Sequence, residues 1–199
     1  DAMEKNPTGD DNTAIGKGAL KLNTTANHNT AVGKNALTSN TTGAQNTAVG
    51  EQALQNNTTA AGNTAVGRNA LGSNTTGADN VTIGENALDG ATGTSYCVAI
   101  GKDALGNADT TGTYNIAIGN YSGRVITTGT MNALCGRNSG YNITTGQGNT
   151  VMGGSAALYH ATTANYSSAF GNDALQNVTT GHRNTAIGME AGYSVTTGA

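Results

Sequence analysis

From residue 12 onward the chain sets an aliphatic or similarly packable residue directly before a glycine at a fixed interval, and between these points an Ala-Leu pair recurs. The unit Asn-Thr-Ala-Ile/Val-Gly and its variants start at residues 12, 29, 46, 63, 80, 97, 115, 132, 149, 167 and 184, a spacing of 17 with two excursions to 18. Helical-pair repeats and propeller blades need roughly 33 to 50 residues, so a period this short suits one coil of a β-solenoid. The pattern predicts an all-β chain: a parallel β-solenoid, or β-roll, of about eleven 17-residue rungs. Residues 12–199 then form one repeat domain, and residues 1–11 read as an N-terminal extension.

Each aligned column predicts a physical role. The glycine column, Gly16, Gly33, Gly50, Gly67, Gly84, Gly101 and onward to Gly188, predicts a corner that needs positive φ or very close backbone approach. The residues before it, Ile15, Val32, Val49, Val66, Ile83, Ile100, Ile118, Cys135, Met152, Phe170 and Ile187, are all able to pack and are expected to face inward. The column headed by Thr13, Thr30 and Thr47 shares that face by the strand period of two. A strand of about four residues results. Its other face carries Ala14, Ala31, Ala48, Ala65, Ala99, Ala117 and Leu134. A strand apolar on both faces is normally buried on both, so the alanine column is expected to meet another copy of the chain. The competing reading is a flat alanine surface that tolerates water.

Ala-Leu pairs from Ala19-Leu20 to Ala174-Leu175 and a following Thr-Thr-Gly complete the rung. Three later rungs replace the Leu by Gly123, Gly140 and Gly192, and three residues on they carry Ile126, Ile143 and Val195 where early rungs have Asn23, Asn40, Asn57 and Asn74. Core volume lost at one position is thus expected to return at another. The Asn column from Asn12 to Asn184 would stack amides about 4.8 Å apart, the spacing of a hydrogen-bonded ladder. After the glycine, Lys34, Glu51, Arg68, Glu85 and Lys102 alternate in sign on successive rungs, which helps to fix register.

These Asn-Thr-Ala-Val-Gly units, with Ala-Leu and Asn-Thr-Thr-Gly, resemble the head repeats of trimeric autotransporter adhesins and, more closely, the repeats that precede the chaperone domain in phage-type tail fibres. The resemblance covers about residues 12–199. It implies a left-handed β-roll in which three chains pack side by side, and it makes the alanine column a trimer interface. The adhesin heads run nearer 14 residues per rung, a departure from the period here.

Composition adds exclusions. Charged residues are 11% and aromatics 4%, with no Trp and one Phe, which without the repeat would read as disorder. A net charge of −3 and the lack of basic clusters leave no footprint for nucleic acid or an anionic membrane. No apolar run approaches the roughly 18 residues of a membrane helix, no signal-peptide pattern opens the chain, and Asp1 suggests a fragment or processed product. Cys97 and Cys135 are two rungs apart and read as free thiols, Cys135 as a small core residue. His28, His160 and His182 occupy different columns with no carboxylate or Cys at ligand spacing, so no metal, cofactor or catalytic residue is expected.

One asymmetry stands out. No aromatic precedes Tyr96, and all eight of the chain, Tyr96 included, fall in the second half. Tyr141, Tyr159 and Tyr193 fall in one column and, with His182 and Arg183, are the candidate contacts for a surface glycan or protein receptor. Alternatively the rings fill the gaps left by Gly123, Gly140 and Gly192. The extra residues of the long rungs, around 106–109 and 154–156, are candidate bulges at a contact site. The sequence therefore points to a non-enzymatic fibre segment, extracellular, on a cell surface or on a virion, that adheres or binds a receptor. Two alternatives stay open: an ice- or crystal-binding solenoid using Thr24, Thr41, Thr58 and Thr75, or a self-assembling filament subunit.

Overall fold

The computed structural model describes residues 1–106 and 110–198. Eleven strands arise, one per repeat: β1 (Thr13–Ile15), β2 (Thr30–Val32), β3 (Thr47–Val49), β4 (Thr64–Val66), β5 (Val81–Ile83), β6 (Val98–Ile100), β7 (Ile116–Ile118), β8 (Ala133–Arg137), β9 (Thr150–Ser155), β10 (Ser168–Phe170) and β11 (Thr185–Ile187). They form a single parallel sheet in sequence order. Each motif sits on its successor without slip, as where Thr47, Ala48 and Val49 pair with Thr64, Ala65 and Val66. The chain is a β-solenoid of rungs about 17 residues long, and the described residues contain no helix. Residues 1–11 stack on the first rung: Met3 N–H donates to the Ala19 carbonyl at 3.0 Å, and Asn23 Nδ2 donates to Asn6 Oδ1 at 3.0 Å.

The strand faces are the reverse of the expectation. Ala31, Ala48, Ala65, Ala99 and Ala117 are fully buried and Leu134 nearly so, all within one chain, while Ala14 on the first rung packs against the same core. The aliphatic column lies outside: Ile15 is 60% exposed and Ile187 74%. The alanine column is therefore no interface between chains. The cause is cross-sectional volume. Leu37, Leu54, Leu71 and their equivalents reach across from the second segment and are fully buried, leaving room for little more than a methyl on the strand side. At close-packed density this column therefore stays small on most rungs, Thr82 and Val151 being larger members that are still fully buried. Leu134 is the largest residue of the column and follows the same rule. It enters the core where the facing residues are Gly123 and Gly140, and a Cβ built on either would lie 2.8 to 3.0 Å from its methyls.

Those glycines also relieve strain. In rungs that keep the leucine, Leu37, Leu71 and Leu158 hold φ near +50°, a left-handed conformation unfavourable for such a side chain. Gly123 and Gly140 take φ of 56° and 59° without that penalty, and the buried Ile126 and Ile143 supply the missing volume. The tyrosines do not fill these gaps.

Polar ladders close the coil. In the first Asn column each Oδ1 accepts the backbone N–H of the next rung, as Asn46 does from Asn63 at 3.0 Å, while Nδ2 donates across the interior to its own rung's far side, as Asn46 does to Ala60 at 2.9 Å. Asn23, Asn40, Asn57 and Asn74 form a second ladder, Asn57 Nδ2 donating to both Asn40 Oδ1 and the Ala60 carbonyl. Both columns are buried, apart from partly buried ends at Asn12 and Asn184, so each amide needs these partners. The extra residue of the second long rung is absorbed at Gly153 and Gly154, where two residues face Gly136 alone between the pairs Cys135–Met152 and Arg137–Ser155. Of the other expected bulge, 107–109 lie outside the described residues.

Candidate functional surfaces

The outward face of the sheet runs across all eleven strands. Its two columns, headed by Thr13 and Ile15, contain no charged residue on any of the eleven rungs. Over β5 to β8 the first column also turns apolar, with Val81, Val98, Ile116 and Ala133, of which Val81 and Ile116 are exposed, before Thr150, Ser168 and Thr185 return on β9 to β11. Along the corner preceding the strands lie Tyr96, Tyr114, Met131 and Tyr166, each more than half exposed. The rings of Tyr96 and Tyr114 stack at 5.1 Å with 4° between their planes. In the first half the same corner holds Asp11, His28, Gln45 and Asp79, and on the last rung Arg183, so the apolar face is widest in the middle of the solenoid. Cys135 belongs to this face and is exposed, contrary to its expected place in the core.

A second surface gathers around Arg124. It stands 17 residues before Tyr141 and therefore in the column of Tyr141, Tyr159, Gln176 and Tyr193. Its guanidinium carbon sits 5.1 Å from the Tyr121 ring centre and 5.7 Å from that of Tyr141. Arg124 Nη1 donates to the Tyr141 hydroxyl at 2.7 Å, while Nε is buried without a hydrogen-bond partner. Tyr141 stacks on Tyr159 at 5.1 Å, and His160 meets the Tyr159 ring edge-on at 4.9 Å. The structure thus joins two of the candidate contacts, Tyr141 and Tyr159. Tyr193 lies two rungs beyond Tyr159, past Gln176, and His182 and Arg183 are on the corner column before the strands, where His182 Nδ1 accepts the Asn165 N–H at 3.1 Å. Sequence reasoning groups His160 and the second-half tyrosines by their chemistry but misses Arg124, which counting 17 back from Tyr141 would have found.

The charge ladder forms in part, with no ion pair between Glu51 and Arg68. Lys34 and Glu51 pair at 3.0 Å, and Glu85 joins Arg68 and, at 3.5 Å, Lys102. The hydrogen bond from Arg68 and the charges of Lys102 and Arg68 hold the Glu85 carboxyl below the usual range. These pairs are solvent-exposed and tune register rather than stability. The threonine array is spent internally: Thr24, Thr41 and Thr58 hydroxyls each donate to the carbonyl of the next rung's threonine. Exposed threonines such as Thr42 and Thr59 stand one residue further on.

Cys97 replaces an Asn in the buried ladder, and its Sγ accepts the Asn115 N–H at 3.4 Å. Burial pushes its thiol up to about 11. The thiolate is the reactive form, so Cys97 is expected to resist Ellman's reagent at pH 8 until the coil is denatured; rapid labelling of Cys97 in the folded protein, mapped by mass spectrometry, would contradict its burial. Among the described residues no cluster of three metal-ligating side chains occurs, and no helix is long and apolar enough to cross a membrane.

Fold and surfaces together define a β-solenoid repeat protein with repeated outward ladders. Comparison with protein-family models, curated proteins and solved structures gave no match.

Proposed function

We propose that this chain is a non-catalytic segment of an extracellular or virion-borne fibre, in which three copies pack along the outward strand faces and the aromatic half adheres to a surface receptor. The observation that carries this reading is the outward strand face, uncharged on all eleven rungs and bearing Ile15, Val49, Ile83, Ile118, Met152 and Ile187 exposed. Contiguous exposed apolar surface of this kind marks an interaction site. Its length, ten inter-strand steps of about 4.8 Å, sets a condition on the partner. Only a surface with the same rise can match every rung at once, and another copy of this chain has that rise by construction. Closed cyclic assembly satisfies the face without open-ended growth.

The test is Ile83→Asp with Ile118→Asp, two charges placed on the outward face. The parent protein should run in native mass spectrometry as a trimer with Cys135 shielded from alkylation. The double variant should run as a single chain that keeps its β-sheet circular dichroism and exposes Cys135. A parent of single-chain mass with freely reacting Cys135 would end the proposal.

A further inference from the structure

The Arg124 surface is not explained by packing. Residues 110–172 contain no Asp or Glu but two arginines, Arg124 and Arg137, so this stretch is +2 (two cations minus no anions) in a chain whose net charge is −3. Arg124 makes no ion pair among the described residues, its one hydrogen bond goes to the Tyr141 hydroxyl, and its Nε is enclosed without a partner. A guanidinium held between rings without a counterion keeps N–H donors on its Nη atoms for a planar anion, while the enclosed Nε lies out of a ligand's reach. Tyr121 and Tyr141 flank the cation, and Tyr159 on Tyr141 and His160 on Tyr159 continue the stack along the axis, all half-buried or exposed, over three successive rungs.

Such a ring stack turns edges and hydroxyls outward and presents amphipathic groups along a line. No enclosed cavity accompanies it among the described residues, which suits a chain molecule lying along the axis better than a small ligand needing a pocket. The surface is off the outward strand face, so assembly through that face leaves it open.

We propose that Tyr121, Arg124, Tyr141, Tyr159 and His160 bind an acidic saccharide, with Arg124 taking a sugar carboxylate and the tyrosine edges and His160 the neighbouring hydroxyls. The proposal rests on the adhesive reading above and names its ligand class. Attraction to an anionic polymer also follows from the local positive charge, which raises encounter rates at low salt.

An array of carboxylated, sulfated and neutral oligosaccharides, probed with the whole chain, provides the test. Carboxylated sugars should be retained, at least tenfold more tightly than their neutral counterparts. Arg124→Gln should lose that preference, Arg124→Lys should keep part of it because charge remains while the fork is lost, and Tyr159→Phe should weaken binding without changing the melting temperature. Retention of neutral or sulfated sugars in preference, no retention of carboxylated sugars, or equal retention by Arg124→Gln with unchanged melting would overturn the site. A protein of trimeric mass that retains no sugar defeats this site alone; a single chain that retains uronates and loses them in Arg124→Gln defeats only the assembly.

Discussion

Gly67→Val is expected to destabilise the solenoid by about 2 to 6 kcal/mol, the sum of a strained backbone and an overpacked contact. Gly67 holds φ at +136°, and a Cβ built there would lie 2.5 Å from the carbonyl oxygen of Gly84 and 3.2 Å from the Glu85 nitrogen. Both neighbours are backbone, so neither can swing aside. The β-branched side chain must push rungs apart or force the corner into another conformation. A melting temperature lower by roughly 5 to 20 °C follows for a chain of this size. Thermal unfolding followed by circular dichroism measures it, and a variant that melts with the parent would show that neither the conformation nor the close approach matters. Gly33, Gly50, Gly84 and Gly101 share the geometry, with φ between 125° and 139°, so the effect should recur wherever the column is substituted.

The second large effect contrasts two adjacent residues. Ala48 is fully buried and Val49 is 37% exposed. Ala48→Asp places a carboxylate among leucines and alanines with no cation in reach, a burden of several kcal/mol that should unfold the central rungs. Val49→Asp should leave the fold of a single chain intact and act only on association. If the alanine column faced outward the two outcomes would exchange. Urea denaturation and native mass, measured on both variants, separate the alternatives: a folded, dissociated Ala48→Asp with an unfolded Val49→Asp would reverse the assignment of faces.

That reversal shows where sequence reading stopped. The motif supplied two alternating columns and therefore two faces, but alternation is symmetric under exchange of inside and outside. Preference for the larger apolar side chain as core then selected Val49 and its column wrongly. Nothing local to the strand could have corrected it, because the space available to Ala48 is set by Leu37, Leu54 and Leu71 arriving from the opposite segment. The clue that does lie in the sequence is Leu134, the large residue in the small column, in the stretch where Gly123 and Gly140 replace leucine.

The aromatic surface was legible in part for a related reason. A shared column is arithmetic, so Tyr141 and Tyr159 were placed together, and Arg124 stood 17 residues earlier. Tyr121 reaches the same cluster from three residues before Arg124 through the turn of the coil, which column counting does not express. His182 and Arg183 were grouped with the tyrosines for their chemistry, yet they stand on a different corner.

By itself the sequence determined everything that follows from translation along the axis: the period, the strand at each motif, the register, the glycine corners, the stacked amides and the alternating charges. Identical residues at a constant interval must meet their own kind once the rungs stack, whatever the cross-section. Only the tertiary structure decided what depends on the cross-section, namely which face is inside, which of Cys97 and Cys135 is shielded, and which side chains from different columns meet at Arg124. Those outcomes are set by volume and direction across the coil, where segments distant in the repeat compete for one narrow interior.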